Sequence, residues 1–573
     1  MHHVVDRSVI ATGPKGEVAH RDLIAHSAVF KPRLHRVTDR VHCAVGFGLA
    51  NATLILGPEG AIVVDTGKNV GEAAAHQAQF DTVPGGGDVR AVLYSHSHYI
   101  DGTSAYTARN PDLEVWGHED VDANHRMFSA EAGPRLLLGA LRQFGFLLPP
   151  DGPDAMPNYG LGPFLFGPTA DTGSGYLAPD HTVAGDTEVT IAGVRIALYE
   201  HASDSEDTLV IHLPDDDLVI NNHVWPSLFN IFTMRGEPYR DPNVHLAGID
   251  RILELDPEHL VGVHGPPVSG RENVRRLLTT YRDSIQFIWD QTVRGMNLGL
   301  EPDELVDFVQ LPESLRTGDF NGEFYGVVPH HVRQVHGGVA GWFGAECTDL
   351  FPLAPADEAA RIVAGFGGRD TTVAEARKAL EADDPSWALQ LATWVLRTDE
   401  ADDEARAVKV DALRLVAQTT TSSNVRAFCL SQALELEGAI DWSWAKGYRI
   451  DGHSVRADPI GAVRVLRVLL DPRAADGVDT AVRFRFTDLD RVVGLHVRNG
   501  VAAFSPTEPA RTDLGLELTG VTWAALLTGT VGLSDAIDQG AAGLTAGSLD
   551  ELASLFSLFD DLPESLTTKG MAA

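Results

Sequence analysis

Short apolar runs that stop abruptly at polar residues dominate the first half of the chain. Val41–Gly48, Ala50–Leu56 and Ala61–Gly67 read as strands, the last two joined by the turn Gly57-Pro58-Glu59-Gly60. Gly71–Phe80 has helical spacing, and Val89–Tyr94 returns as a buried strand. Helical stretches are predicted over Thr103–Ala108 and Asp122–Phe144. The Gly/Pro-rich segment Leu148–Pro179 is far too long for a plain connection and predicts a pocket wall or lid. A second group of strands follows at Thr187–Ile191, Val194–Tyr199, Leu209–Leu213, Leu218–Ile220 and His259–Val263. The period then becomes helical over Asn273–Met296, Thr371–Leu380, Trp387–Leu396, Asp403–Ala417 and Leu430–Leu436. Towards the C-terminus, Ala481–Phe486 and Val492–Val497 alternate as strands, with helices expected at Trp523–Leu527 and Leu549–Phe559. This order predicts an α/β first part, an all-helical middle and a mixed α/β last part.

The polar strand ends carry the chemistry. The run Ala91–Tyr94 ends in Ser95-His96-Ser97-His98-Tyr99-Ile100-Asp101-Gly102. Two histidines one residue apart at a strand end can turn both imidazoles towards one ion, and neutral imidazole suits zinc, iron or copper. The strand after Val194 runs into Glu200-His201-Ala202-Ser203-Asp204-Ser205-Glu206-Asp207, rich in acids and oxygen donors. Leu218–Ile220 ends in Asn221-Asn222-His223, and His259–Val263 ends in His264. Successive strands ending in ligand-type residues predict a site along one sheet edge.

Composition narrows the setting. With 573 residues the chain needs several cores, and 44% hydrophobic with 22% charged residues is ordinary globular material. A formal net charge of −35 argues against nucleic acid or an anionic membrane surface as the main partner. Cys43, Cys347 and Cys429 are odd in number and far apart, so no disulfide framework is expected. The first residues lack the apolar run of a signal peptide, and no segment is predicted to span a membrane. A soluble cytoplasmic protein is therefore expected.

Further segments resemble a known family. Arg235-Gly236 with Tyr239-Arg240-Asp241, His264-Gly265-Pro266-Pro267-Val268-Ser269-Gly270, and Tyr281-Arg282-Asp283-Ser284-Ile285-Gln286 are similar to segments of alkyl sulfatases, within the metallo-β-lactamase superfamily. So are Asp290–Asn297, Tyr325-Gly326 before His330, and Gly341-Trp342-Phe343. The resemblance implies an αββα metallo-β-lactamase sandwich over residues 1–275 and a helical dimerisation domain over 276–445. A sterol-carrier-protein-like α/β domain over 446–573 completes the implied arrangement. It implies a homodimer and hydrolysis of an organic sulfate monoester to alcohol and sulfate by a zinc-activated water. His96, His98, Asp204 and His264 fit the metal ligands, with Asp101 as a further acid. Arg235 and Arg240 fit a sulfate clamp, matching the forked guanidinium to a tetrahedral oxyanion. The alternative for these arginines is a structural ion pair with Asp241 or another acid. His330 fits the group that protonates the leaving oxygen, with His331 beside it, and Asn158 and Tyr159 fit the pocket wall.

The chain also departs from the family pattern. Where His-x-His-x is followed by Asp-His, this sequence has Ile100-Asp101-Gly102, so one histidine is missing in either register. Where a carboxylate normally bridges two metals there is Asn222, a neutral amide. One or two zinc ions are implied, with the second expected to be weak, displaced or absent. Two other readings stay open: a diverted relative using an altered zinc or iron centre for another reaction, and an inactive binding or scaffolding dimer.

Overall fold

The computed structural model describes residues 4–126, 131–165 and 172–567. They fall into two compact units: the chain up to His125 with Gly139–Asp441, and Arg126–Leu138 with everything from Trp442 onward.

In the first unit a hairpin, β1 (Ile10–Thr12) and β2 (Val18–His20), precedes two large sheets. The first sheet runs in sequence order through β3 (Arg33–Arg36), β4 (Val41–Val45), β5 (Ala52–Gly57), β6 (Gly60–Val64), β7 (Val89–Leu93), β8 (Glu114–His118) and β9 (His181–Val183). It is antiparallel up to β6 and parallel from β6 to β9. The second contains β10 (Thr187–Ile191), β11 (Val194–Glu200), β12 (Leu209–Leu213), β13 (Leu218–Asn221), β14 (His259–Gly262) and β15 (Val268–Ser269), also in order. Only its β13–β14 pair is parallel.

Alternation along the strands sorts residues between layers. Ile62 and Val64 on β6, and Ala91 and Leu93 on β7, pack against Leu209, Ile211, Leu218 and Ile220 of the facing sheet. Their neighbours Ala61, Val63, Val92 and Tyr94 turn outward onto Ala73 and Phe80 of the helix Val70–Phe80. On the other side, Val210, Val219 and Leu260 meet Ile249 and Ile252 of the helix Pro242–Leu255 and Val274 of the helix Arg271–Asn297. Each such fully buried aliphatic side chain contributes roughly 1.5–3 kcal/mol. The result is the expected αββα sandwich.

The outer cluster continues without a break into Leu305, Val328, Val332 and Val335, because Arg271–Asn297 is shared by sandwich and helical region. The boundary expected after residue 275 thus falls inside a 27-residue helix. The helices that follow include Pro355–Gly365, Arg369–Glu381, Pro385–Thr398, Asp403–Thr419 and Ser423–Leu436. Asp384, Asp402 and Ser422 cap the last three through their side chains. Arg426, fully buried, donates to the carbonyls of Val18, Pro153, Ala155 and Ala417, tying the helical region to the hairpin and the Gly/Pro-rich segment.

The second unit has a mixed five-stranded sheet of β16 (Asp479–Phe486), β17 (Arg491–Arg498), β18 (Val501–Ser505), β19 (Leu514–Leu518) and β20 (Ala542–Ala546), ordered β18-β17-β16-β19-β20. Phe484, Phe486, Trp523 and Phe556 form its core with the helices Gly520–Leu527 and Leu549–Phe556.

The predicted single helix over Asp122–Phe144 is instead two, Val121–His125 and Gly133–Gln143. Pro134 suits the first turn of the second helix, where its missing N–H costs nothing. Residues 127–130 of that prediction lie outside the described residues. The segment Leu148–Pro179 contains neither helix nor strand in its described part, and its residues 166–171 lie outside.

Candidate active site

The loop after β7 is held from the neighbouring strand. At the end of β6, Asp65 takes a left-handed backbone conformation (φ 59°), and its carboxylate accepts both the backbone N–H (2.9 Å) and the hydroxyl (2.6 Å) of Ser95. Ser95 Oγ in turn lies 2.8 Å from Nδ1 of His96. The ring is thus oriented through Nδ1, while its buried Nε2 has no hydrogen-bond partner. Burial pushes the Asp65 carboxyl up to about 7, against the two Ser95 hydrogen bonds. Burial also pulls His96 down to about 3, so the imidazole is neutral, the state a metal ligand requires.

His98 meets Asp204 from the β11–β12 loop at 3.0 Å (Nδ1 to Oδ2), and His96 Nε2 is 3.9 Å from the other carboxylate oxygen. Ligand-type atoms of His96, His98 and Asp204 all lie within 4.8 Å of one another. Burial works to raise the Asp204 carboxyl, but His98 and His96, with Arg240 behind them, hold it well below the usual range. Two imidazole donors and a carboxylate fit one divalent cation. Asn222 donates to Asp204 Oδ1 at 2.6 Å, and its own Oδ1 accepts from Trp225 Nε1 at 3.0 Å. The amide therefore orients the carboxylate of the trio.

The remaining expected ligands are placed differently. His264 is buried, its Nδ1 2.9 Å from the carbonyl of Leu49 and its Nε2 without a partner, but it stands outside the trio's 4.8 Å group. Tyr99 is buried with its ring edge-on to His96 (5.3 Å), His98 (6.1 Å) and His264 (5.2 Å). Asp101 is a correction to the sequence reading. Its carboxylate is taken by Lys68 Nζ (2.9 Å), His125 Nε2 (2.9 Å) and Ser174 Oγ (2.7 Å), and it is not among the grouped ligands. Ile100, before it, packs into the outer core of the first sheet.

Arg235 and Arg240 lie in the loop between β13 and the helix Pro242–Leu255, and both side chains are almost fully buried. Their shared ion-pair partner is Glu237: Arg235 Nη2 bonds one carboxylate oxygen and Arg240 Nη2 the other. Asp241 does not pair with them; it caps the following helix by accepting from the N–H of Asn243. Arg240 also donates to the carbonyl of Asn230 (3.0 Å) and stands 3.9 Å from Asp204, joining the arginine pair to the histidine trio. Arg235 lies over the Phe144 ring at 5.8 Å, and its backbone N–H bonds Gln143 at 2.9 Å. A side chain at Gly139 would come within 2.2 Å of the Arg235 carbonyl, so glycine lets that helix approach.

On the helix Val328–Ala340, His331 is the more deeply buried of the adjacent pair. Its Nδ1 accepts from the N–H of Phe232 at 3.3 Å, its Nε2 has no partner, and Arg240 is among the charges that act on it. His330 packs edge-on against Phe232, and Arg333 is the charge that acts on it. Burial lowers both rings, His330 to about 4 and His331 to about 3.

Asn158 and Tyr159 also depart from the pocket-wall expectation. Asn158 is consumed by the carbonyl of Leu23 (2.7 Å), Ser27 Oγ (2.8 Å) and the N–H of Gly160 (2.8 Å), so it pins its own loop. Tyr159 packs against the apolar cluster outside the second sheet. Asp65, Tyr99 and Glu237 were not singled out in the sequence. Only Glu237 left a signal, lying between two arginines in Arg-Gly-Glu-Pro-Tyr-Arg.

Residues 301–439 match the family "Alkyl sulfatase dimerisation" and residues 462–565 the family "Alkyl sulfatase C-terminal". The chain is 33% identical over 482 residues to a linear primary-alkylsulfatase of a Pseudomonas strain, covering 80% of this chain and 90% of that one. It is 28% identical over 546 residues to an (R)-specific secondary-alkylsulfatase of Pseudomonas, covering 92% and 80%. The solved structure of the stereoselective inverting sec-alkylsulfatase Pisa1 from Pseudomonas superposes with a TM-score of 0.83 at 24% identity, covering 96% of this chain and 92% of that one.

Proposed function

The chain belongs to the alkylsulfatase family, and on that premise we propose that it hydrolyses an alkyl sulfate monoester to an alcohol and sulfate at the site formed by His96, His98, Asp204, Arg235 and Arg240. The observation that supports the reading is the 3.9 Å approach of Arg240 to Asp204, a guanidinium of the proposed anion clamp beside a carboxylate of the proposed cation site. His96, His98 and Asp204 are the proposed holders of one zinc ion, with His264 as a further donor. Zinc in such a setting supplies Lewis-acid polarisation and activates water near neutral pH. Arg235 and Arg240 bind the sulfate oxygens and offset charge that builds on the departing group. The neutral amide of Asn222, in place of a bridging carboxylate, favours a single ion.

For the leaving oxygen we favour His331 over His330, because His331 Nε2 is buried without a partner and Arg240 is among the charges that act on its ring. A bound sulfate anion beside it would favour the protonated imidazole. We further propose a homodimer formed through the helical region, whose residues Trp342, Leu350, Phe351 and Leu353 are exposed. A cytoplasmic location is supported by three cysteines that are all unpaired. Among the described residues, no helix is long and apolar enough to cross a membrane.

The test is sulfate release from a series of linear and branched alkyl sulfates by protein purified without added metal, with metal content measured on the same sample. Turnover that tracks a zinc content of about one per chain is expected. Absence of turnover with zinc fully loaded would overturn the proposal.

A further inference from the structure

The arginine pair already holds an anion, and that anion belongs to the chain. Glu237 is 4% exposed, less than either partner, and offers one carboxylate oxygen to each guanidinium. It sits two residues after Arg235 and three before Arg240, so both pairs close within one short loop. Gly236, at φ 94°, supplies the turn that brings the Glu237 side chain back between them. Arg240 Nε remains buried without a hydrogen-bond partner, so the pair satisfies the fork only in part. A planar carboxylate with two acceptor oxygens is the closest side-chain counterpart of the oxygens a sulfate ester presents.

Two anions cannot share this enclosed space. Like charges a few ångströms apart in a buried setting repel strongly, whereas exchanging one for the other keeps the pocket charge constant. We infer that Glu237 is an internal competitor of the substrate's sulfate group: it fills the Arg235–Arg240 clamp at rest and is displaced when a sulfate ester binds, which makes it a specificity-determining residue of this site. The inference rests on the hydrolase reading for the identity of the ligand, and on the ion-pair geometry for the competition itself. Glu237 keeps two buried guanidiniums paired in the empty enzyme, and breaking such a pair leaves an uncompensated charge. Its cost is affinity, because apparent binding is reduced to the fraction of molecules whose clamp is open. Sulfate alone opens the clamp only at higher concentration, and esters with additional contacts displace the carboxylate more readily.

The test uses the metal-loaded full-length chain with inorganic sulfate as the probe, which needs no turnover. Calorimetric titration of wild type and Glu237→Gln is expected to show at least about tenfold tighter sulfate binding in the variant, with a parallel fall in KM for an alkyl sulfate. Glu237→Asp, too short to reach both arginines, should fall between. Equal or weaker sulfate binding in folded Glu237→Gln would overturn the inference and make Glu237 a brace that positions the arginines. If the variants do not fold, a wild-type crystal soaked in sulfate decides. An anion between the guanidiniums with Glu237 swung away supports the inference, and Glu237 in place with the anion elsewhere refutes it. Tighter sulfate binding without hydrolysis of any alkyl sulfate would leave the competitor standing and remove the hydrolase reading. Hydrolysis with unchanged sulfate affinity would do the reverse.

Discussion

The two halves of the candidate site are finished to different degrees. In the histidine half, Nδ1 of His96 and of His264 is anchored by a hydroxyl and a carbonyl, and each Nε2 is buried without a hydrogen-bond partner. In the arginine half, both guanidiniums close on Glu237. An open imidazole in a buried setting is costly unless something arrives to bond it, whereas a paired guanidinium is stable as it stands. On the proposed reading, the first half would be a preorganised cation site and the second an anion site that must exchange partners.

Removing a trio member should break the first half most severely. His96→Ala, His98→Ala and Asp204→Ala are each expected to lose bound zinc and to lower kcat/KM for an alkyl sulfate by at least about 10³, the equivalent of several kcal/mol of transition-state stabilisation. Metal analysis beside steady-state kinetics checks this, and full activity with zinc lost would end the metal-dependent reading. Replacing Arg235 or Arg240 by Met is next in size. Loss of one charge-assisted contact, worth about 1.5–3 kcal/mol, should raise KM roughly ten- to a hundredfold while zinc content stays constant. A drop in zinc in the Arg240 variant would show that the halves are coupled through Asp204.

Ser95→Ala probes the anchoring in the first half. Loss of such an outer-shell bond to His96 should weaken zinc affinity about 10- to 100-fold with the fold intact, as a competition titration with a chelator would reveal. Unchanged affinity would show that His96 is oriented by packing alone.

The smallest effect concerns acid stability. His76 is completely buried, neither ring nitrogen has a partner, and burial lowers it to about 4. Below an unfolded-state value of about 6.5 the unfolded chain takes up a proton that the folded one refuses until about 4. Folded stability should therefore be present above pH 6.5 and decline as pH falls towards 4. His76→Phe should flatten this acid limb, moving the thermal midpoint at about pH 5 towards its neutral value by a few degrees. An unchanged pH profile would mean that His76 protonates freely in the folded protein.

Much of the architecture was legible because it depends on period. Strand alternation in Ile62–Val64 and Leu209–Leu213, and helical spacing in Asn273–Met296, record which face is buried. His96, His98 and Asp204 were legible as ligand types at the ends of such strands. Other assignments depend on direction, which spacing does not carry. His330 and His331 are neighbours on one helix, about 100° apart in heading, so only packing decides which ring lies closer to Arg240. Asp101 has the right charge for a ligand, but Lys68, His125 and Ser174 come from three other segments to claim it. Asn158 has a pocket residue's chemistry and spends all of it inside its own loop.

By itself, the sequence determined the layers, the helical middle and the ligand-type residues at the strand ends. Tertiary structure alone decided that Asp65 orients His96 through Ser95, that Tyr99 stands among three imidazoles, and that Glu237 fills the arginine pair. The reason is physical: burial patterns are properties of one segment, whereas a polar side chain goes to whichever partner the folded neighbours leave unsatisfied.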